Sequence, residues 1–534
     1  MASKEQISQL SDQKTYQTIS LENALVSKDA ITPLPFPTKY AQVETPSGNI
    51  PSYKIETVIR LGNRFIGLPF KAHWCYENSD NSALFVHDGD IYRIGINDTK
   101  YRKIYLDSPC NRLDGIASGD FNNDCGNDNV VKQFTFTYVD CYGNESYPAP
   151  FLVINTKSNE SITLCDNNLV PDNAVSRRLY EVFPDAGLST TLMGIAEQPI
   201  SDRTFIVKPG STYQGEFYKY SIDDVVSLPI RPNGIANYGS NSYVIWDDHD
   251  IYFSMPGDIN VYSADNIVHI PNRIRFIVSS SGLKTKRSSL FFDPSSVSYW
   301  NTIAVADRYA YRLHNYKNNV QVTEMMHFDK LINNYSYGHS PSNILFLTDK
   351  NAYGFVADTD LSLSKIPIDL KNDDLEDAEI TGDDERIYIK SYNAVNRNYI
   401  SAINVSTGEV AVYSLSPQKL VIAQDHSLLL MNEEGTLYTL QYKGLYNTLK
   451  WRFKINKGQS RYHKSIRFLT DKFRTRDMDD CGDIILNVSL YDYDYKVSSW
   501  CVKNNKAIKL PILNMDYPVI EVKSNIPLYG VELL

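Results

Sequence analysis

No stretch of this sequence approaches the roughly 20 apolar residues needed to cross a bilayer, and its opening residues, MASKEQISQLSDQKTYQTIS, are polar, without the apolar core of a secretory leader. These two absences predict a soluble chain made in a cytoplasm, with no membrane span. Cysteine is scarce: Cys75, Cys110, Cys125, Cys141, Cys165, Cys481 and Cys501 are odd in number, widely spaced and free of any C-x-x-C pair. That pattern argues against a disulfide framework and a zinc knuckle, and predicts free thiols. Positive charge is short as well. Lys and Arg total 53 against 63 Asp and Glu, a net charge of −10, which disfavours a surface built to grip phosphates and admits DNA only as passing cargo.

Reactive motifs are missing too. There is no G-x-S-x-G, the nine histidines form neither H-x-x-x-H nor H-E-x-x-H, and no phosphate-cradling G-x-x-x-x-G-K-[ST] or G-x-G-x-x-G occurs. The reading is of a protein that is not an enzyme.

What the chain does have is tyrosine, 38 of 534 residues, with much Asn, Ile, Val and Ser. Aromatic and β-branched side chains suit a pleated, half-buried surface, while Asn and Asp supply the turns between strands. No convincing apolar stripe at helical spacing interrupts this pattern. The expectation is all-β. One unit recurs: an apolar strand, an acidic or Asn/Gly turn, and a second strand. It appears at Ala83 to Gly95, Ser242 to Met255, Asn301 to His314, Asn343 to Val356 and His426 to Tyr442. A lone hairpin cannot hide its apolar face, so repeated hairpins stack or arrange radially; the spacing of roughly 40 to 80 residues between the last four copies fits β-propeller blades with loops of unequal length.

The first and second copies are about 150 residues apart, more than one blade needs. The predicted organisation is therefore an extended N-terminal arm over 1–50, with a short helix near Ser20–Val26, and first propeller strands over 51–109. An inserted β-sandwich follows over 110–232, then the remaining blades over 233–450 and a C-terminal β-domain or closing blade over 451–534.

Four stretches are candidates for chemistry or contact. Asp120, Asn122, Asp124 and Asp128 fall at relative positions 1, 3, 5 and 9, a spacing at which oxygen ligands can wrap Ca²⁺. Cys125 stands where such loops prefer Gly and position 12 lacks Glu, so a polar turn is the competing reading; a calcium titration that leaves the melting temperature unchanged would decide for the turn. The only dense basic run of the C-terminal part offers Arg461, Lys464, Arg467, Lys472, Arg474 and Arg476 to a partner or DNA, or is an ordinary charged strand pair. Lys371 to Glu385, rich in carboxylates, reads as a solvated loop rather than a glycosidase acid/base pair. Leu490 to Trp500 alternates Tyr and Asp as a strand face does, although such tyrosines could also stack on sugars.

Thr135 to Pro150 (TFTYVDCYGNESYPAP), then SRRLYEVF with Arg177, Arg178, Leu179 and Tyr180, then LMGIAEQP, then Gly234, Ile235 and the run Ile251, Tyr252, Phe253, Ser254, Pro256, occur in an order and spacing that resembles the tail nozzle, or tail tubular, proteins of short-tailed phages, the packaged-DNA stabilisation family. The match covers roughly residues 80 to 315. The resemblance implies a propeller with an inserted platform domain, forming a homo-oligomeric ring, usually a hexamer, below the portal adaptor or head-completion ring. It implies a lumen that conducts the genome without specific binding, an exterior that carries fibre, spike or needle proteins, and a place in the virion tail after assembly in the host cytoplasm. Six copies at −10 each would line up about 60 negative charges, which suits sliding DNA. The alternative class is a calcium-dependent or carbohydrate-binding propeller, acting as an adhesin or glycoside hydrolase.

Overall fold

The computed structural model describes residues 16–26, 31–34, 37–46, 51–77, 81–119, 128–184, 190–211, 218–228, 231–238, 242–280, 301–316, 319–328, 331, 335, 337–339, 343–348, 352–356, 363–366, 374–382, 386–393, 397–404, 410–413, 415, 417–423, 427–440, 449–455, 465–470, 486–502, 507–510, 515, 518–525 and 528–533. Among them the only helical elements are the 3-10 turns Ser52–Lys54, Ile222–Asp224 and Ala264–Asn266. Among the described residues no helix is long and apolar enough to cross a membrane. The protein is all-β, as its composition requires.

Among the described residues there are six antiparallel four-strand meanders of the propeller-blade type. Each hairpin foreseen in the sequence is the middle pair of one. Ser82–His87 with Asp90–Gly95 is the first, and its turn holds Asp88 and Gly89 at φ 51° and 78°, the left-handed pair that a tight hairpin demands. Ser242–Trp246 with Asp250–Phe253, Asn301–Ala306 with Tyr309–Tyr316, Asn343–Leu347 with Ala352–Val356, and Leu428–Met431 with Thr436–Thr439 are the others. In the last, Asn432 Oδ1 accepts the backbone N–H of Glu434 and Thr436, which explains the Asn-Glu-Glu-Gly turn.

The sixth meander, Asp374–Gly382, Arg386–Asn393, Arg397–Asn404 and Val410–Tyr413, lies in the gap of about 80 residues left between the last two recognised hairpins. It corrects the reading of Lys371 to Glu385 as a loop. Asp374–Gly382 is a strand that buries Ala378 and Ile380, with Glu379 between them turned to the other face by alternation.

The chain divides into two compact units. One comprises Ala72–Ser279 and Asp293–Glu324. In it the first two meanders share a core of Leu84, Val86, Ile91, Ile235, Ile245 and Tyr252, and the inserted sandwich packs a three-stranded sheet (Asp114–Gly119, Glu160–Cys165, Thr204–Val207) on a four-stranded one (Leu152–Lys157, Asn129–Asp140, Ala174–Pro184, Thr190–Pro199). Phe134, Phe136, Leu164, Leu179 and Phe205 fill the space between the two sheets.

The other unit comprises Met1–Lys71, Ser280–Phe292 and Met325–Leu534. Here the N-terminal residues are not a free arm. Tyr16–Glu22 pairs with Leu449–Ile455, Ile31–Pro33 pairs with Leu528–Leu533, and Thr38–Glu44 supplies the outer strand of the last meander through Thr436–Thr439. The helix expected near Ser20–Val26 is instead the end of one strand and all of another, Ala24–Val26. Thr18, Ile19 and Val26 are β-branched, and a partner more than 400 positions away offers the backbone pairing that a short isolated helix lacks. The strands after residue 449 thus form a sandwich with the N-terminal ones, packed through Leu21, Ile31, Trp451, Phe453, Phe468 and Val488.

Candidate functional site

The turn and the Arg-rich strand that carry the family resemblance meet inside the sandwich. Asn129–Asp140 pairs antiparallel with Ala174–Pro184, setting Thr137 opposite Arg178 and Thr135 opposite Tyr180. Strand alternation then sends the two arginines to opposite faces.

Arg178 and Tyr180 meet Glu145 of the Gly-Asn-Glu-Ser turn. The hydroxyls of Thr137 and Tyr180 donate to Glu145 Oε1, and Arg178 Nη1 stands 3.3 Å from Glu145 Oε2 while its Nη2 reaches Glu197 at 2.8 Å. Burial raises the Glu145 carboxyl above its ordinary range despite these donors. The turn itself is set by Asp140, whose Oδ1 accepts the N–H of Tyr142 and Asn144.

Arg177 goes inward. It and Asp166 are both fully buried, with Nε to Oδ2 at 2.6 Å. Nη1 of Arg177 donates to the carbonyls of Ile200 and Asp202, at 2.5 and 3.0 Å, while Asp166 also accepts from Tyr138 Oη at 3.0 Å and from Asn168 N at 2.8 Å. Asn168 in turn bonds the backbone of Asn111. Burial pushes the Asp166 carboxyl up, but the Asn168 and Arg177 donors outweigh it and hold it below the ordinary range. In this buried core network Arg177 Nε and Nη1 are engaged, and among its described members Arg177 Nη2 is left without a hydrogen-bond partner.

The Gly234 of the resemblance has a steric reason. It lies opposite Trp246, whose buried indole covers it; a Cβ there would stand 2.6 Å from Cη2, 2.7 Å from Cε2 and nearer still to Cζ2. His73 meets the same indole edge-on, with centroids 5.2 Å apart, and burial lowers its pKa to about 3. The folded state therefore holds His73 neutral, while an unfolded histidine takes up a proton below about 6.5. Stability is expected to fall as pH drops from 6.5 towards 3, by about 2 kcal/mol at pH 5 from this residue alone. Denaturant titrations of the native chain and of His73→Gln at neutral and acid pH check this; the variant should lose less.

A cavity of about 630 Å³ opens beside the sandwich, lined by Tyr105, Tyr147, Pro148, Pro150, Phe151 and Leu228 among others, a size within the range of small-ligand sites. Its walls are mostly apolar. Tyr105 is engaged with the backbone of Leu228, and the one lining carboxylate, Asp107, is ion-paired with Lys103 at 3.2 Å.

Of the predicted calcium ligands, Asp120, Asn122 and Asp124 lie outside the described residues. Asp128 is exposed, and its carbonyl accepts the N–H of Ser158 at 3.2 Å. Among the described residues no group of three or more His, Cys, Asp or Glu is placed to hold a metal ion. Of the basic run, Arg461, Lys464, Lys472, Arg474 and Arg476 likewise lie outside them; Arg467 sits in the strand Ser465–Thr470, opposite Glu532. The tyrosine-rich stretch is a hairpin whose second strand, Tyr495–Cys501, ends the largest sheet with Tyr495 82% exposed.

No family model matches the chain, and no curated protein matches it in sequence. The solved structures that it resembles do so at very low identity and low TM-score. The Neurospora crassa Pan2 WD40 domain is 8% identical with a TM-score of 0.30, over 80% of this chain and 97% of that one. Porphyromonas gingivalis dipeptidyl peptidase 4 is 12% identical with a TM-score of 0.27, over 83% of this chain and 59% of that one. Citrobacter koseri AztD is 8% identical with a TM-score of 0.25, over 74% and 99%. The class of the fold, carried by the chain's own four-strand meanders and the sheets between the first two of them, is the β-propeller with an inserted β-sandwich.

Proposed function

We propose that this chain is a structural ring component of a bacteriophage tail, a nozzle that sits below the portal adaptor, anchors fibres or spikes and lets the genome pass. The observation that carries the reading is the joining of the resembling segments. Glu145 of the turn and Arg178 and Tyr180 of the Arg-rich strand have specific packing tasks in a sandwich inserted after the first blade, and Gly234 under Trp246 has one in the second blade. Segments that resemble a structural family and serve structure here favour an assembly role over catalysis. The net charge of −10 agrees with a conduit for DNA that does not hold it.

The test is the state of the purified full chain, alone and mixed with the portal adaptor of its parent phage, seen by negative-stain microscopy. Annular particles, free or only on the adaptor, are expected. A stable monomer under both conditions that cleaves glycosides would overturn the reading in favour of a hydrolytic propeller.

A further inference from the structure

Among the described residues the three-stranded sheet of the sandwich ends on both sides in a strand with one pairing partner: Asp114–Gly119 on one side and Thr204–Val207 on the other, each bonded to Glu160–Cys165. Its inner face is occupied by the sandwich core through Ile162, Leu164, Phe205 and Val207. The outer face is not polar in the way an exposed face usually is. Ile116, Thr163 and Ile206 stand directly across from one another, with Ile116 72% and Ile206 63% exposed, and the two isoleucines lie on the two edge strands.

One bond sets the direction of the edge backbones. Asp166 N–H donates to Arg203 O at 2.9 Å, so Phe205 and Val207 also turn their backbone groups toward the central strand, and Thr204 and Ile206 turn theirs outward. By the same alternation Gly115 and Ala117 point outward from the opposite edge. Both edge strands run in the same direction, since each is antiparallel to the central strand. Each edge opens with both signs of charge, exposed Arg112 and Asp114 on the first and exposed Asp202 and Arg203 on the second, so a parallel register that sets Ile206 beside Ile116 also sets Asp202 beside Arg112.

We propose that these edges are the two halves of one interface between copies of this chain. Thr204–Val207 of one copy lies parallel beside Asp114–Gly119 of the next, bringing Ile206 to Ile116 and Arg203 near Asp114, so that the small sheet runs on from subunit to subunit. The contact is head-to-tail, the type that generates a ring when its rotation closes. The inference rests on the ring reading and names the surface that builds the ring.

Proline separates this role from folding. Ile206→Pro and Ala117→Pro each delete an outward N–H that the ladder within the copy does not use, a place where an edge strand tolerates proline. Phe205→Pro deletes an inward one and should unfold the sandwich. The native full chain, assembled on its own or on the adaptor, should give an oligomer by light scattering, and the first two variants a monomer that melts as the native chain does. A chain with its seven native cysteines replaced by serine and carrying both Ile116→Cys and Ile206→Cys adds an independent readout. Within one copy the two positions are two strand spacings apart, about 9.5 Å, beyond the roughly 7 Å that a disulfide spans. Oxidation should therefore link copies into a ladder on a non-reducing gel, with either single variant giving none. An oligomer that is indifferent to both prolines, or that yields no ladder, overturns this interface and leaves the ring reading standing. A chain that is monomeric throughout, even with the adaptor, overturns both.

Discussion

Replacing Arg177 by alanine is expected to lower the stability of the sandwich by about 3–5 kcal/mol, the usual cost of stranding one partner of a buried ion pair. Asp166 would keep Tyr138 and Asn168 but lose the cation bonded to it in a fully buried position, and the carbonyls of Ile200 and Asp202 would lose a shared donor. In melting temperature this is on the order of 10 °C for the unit that holds the sandwich. Arg177→Lys should recover only part of the loss, because one ammonium cannot serve a carboxylate and two carbonyls in the fixed directions of a guanidinium. The pH dependence has a definite sign. A carboxylate held below its ordinary range contributes stability above about pH 3.9, its unfolded value, and loses it as pH falls through the folded one. The native chain should therefore soften more steeply in acid than Arg177→Ala does. Circular dichroism melts at neutral pH and near pH 3 measure both; equal slopes would mean that Asp166 is not held by Arg177.

The second large effect is expected at Gly234. Gly234→Ala forces a methyl into the ring of a fully buried tryptophan, and overpacking of this kind costs about 1–3 kcal/mol, here at the upper end because a rigid indole has no flexible end to move aside. The relief should come from the partner. In a Trp246→Phe background, itself less stable, the added cost of Gly234→Ala should shrink by at least about 1 kcal/mol, a coupling that a double-mutant cycle by urea titration resolves. Additive losses would show that the glycine is needed for something other than the indole.

Both positions were visible in the sequence as members of a motif, but their tasks were not. Arg177 and Arg178 are adjacent in SRRLY; that a strand would send one into the core and the other to Glu145 follows from alternation, yet which face is the core depends on the second sheet of the sandwich. Nothing near Asp166 marks it as the partner of a residue 11 positions on, since the pair forms only when Glu160–Cys165 and Ala174–Pro184 belong to facing sheets.

Five of the six hairpins were legible because their turns carry Asp-Gly, Asp-Asp, Asp-Arg, Asp-Lys-Asn or Asn-Glu-Glu-Gly between apolar runs. The sixth, Arg386–Asn393 with Arg397–Asn404, is joined through Ala394, Val395 and Asn396, which lack that signal, and its neighbour Asp374–Gly382 has carboxylates where an apolar run was sought.

What the sequence determined by itself is the kind of structure: tyrosine, β-branched residues and Asn/Asp turns leave sheets as the only way to bury so much aromatic surface, and local alternation with turn chemistry sets the hairpins. What only the tertiary structure decided is which distant strands complete the sheets. Thr38–Glu44 completes a meander whose other strands lie near residue 430, and Tyr16–Glu22 joins Leu449–Ile455. An edge accepts any strand with a free ladder and a matching apolar face, so local sequence does not name the partner. Closing so long a loop costs little more than closing a short one, because that entropy grows only with the logarithm of length.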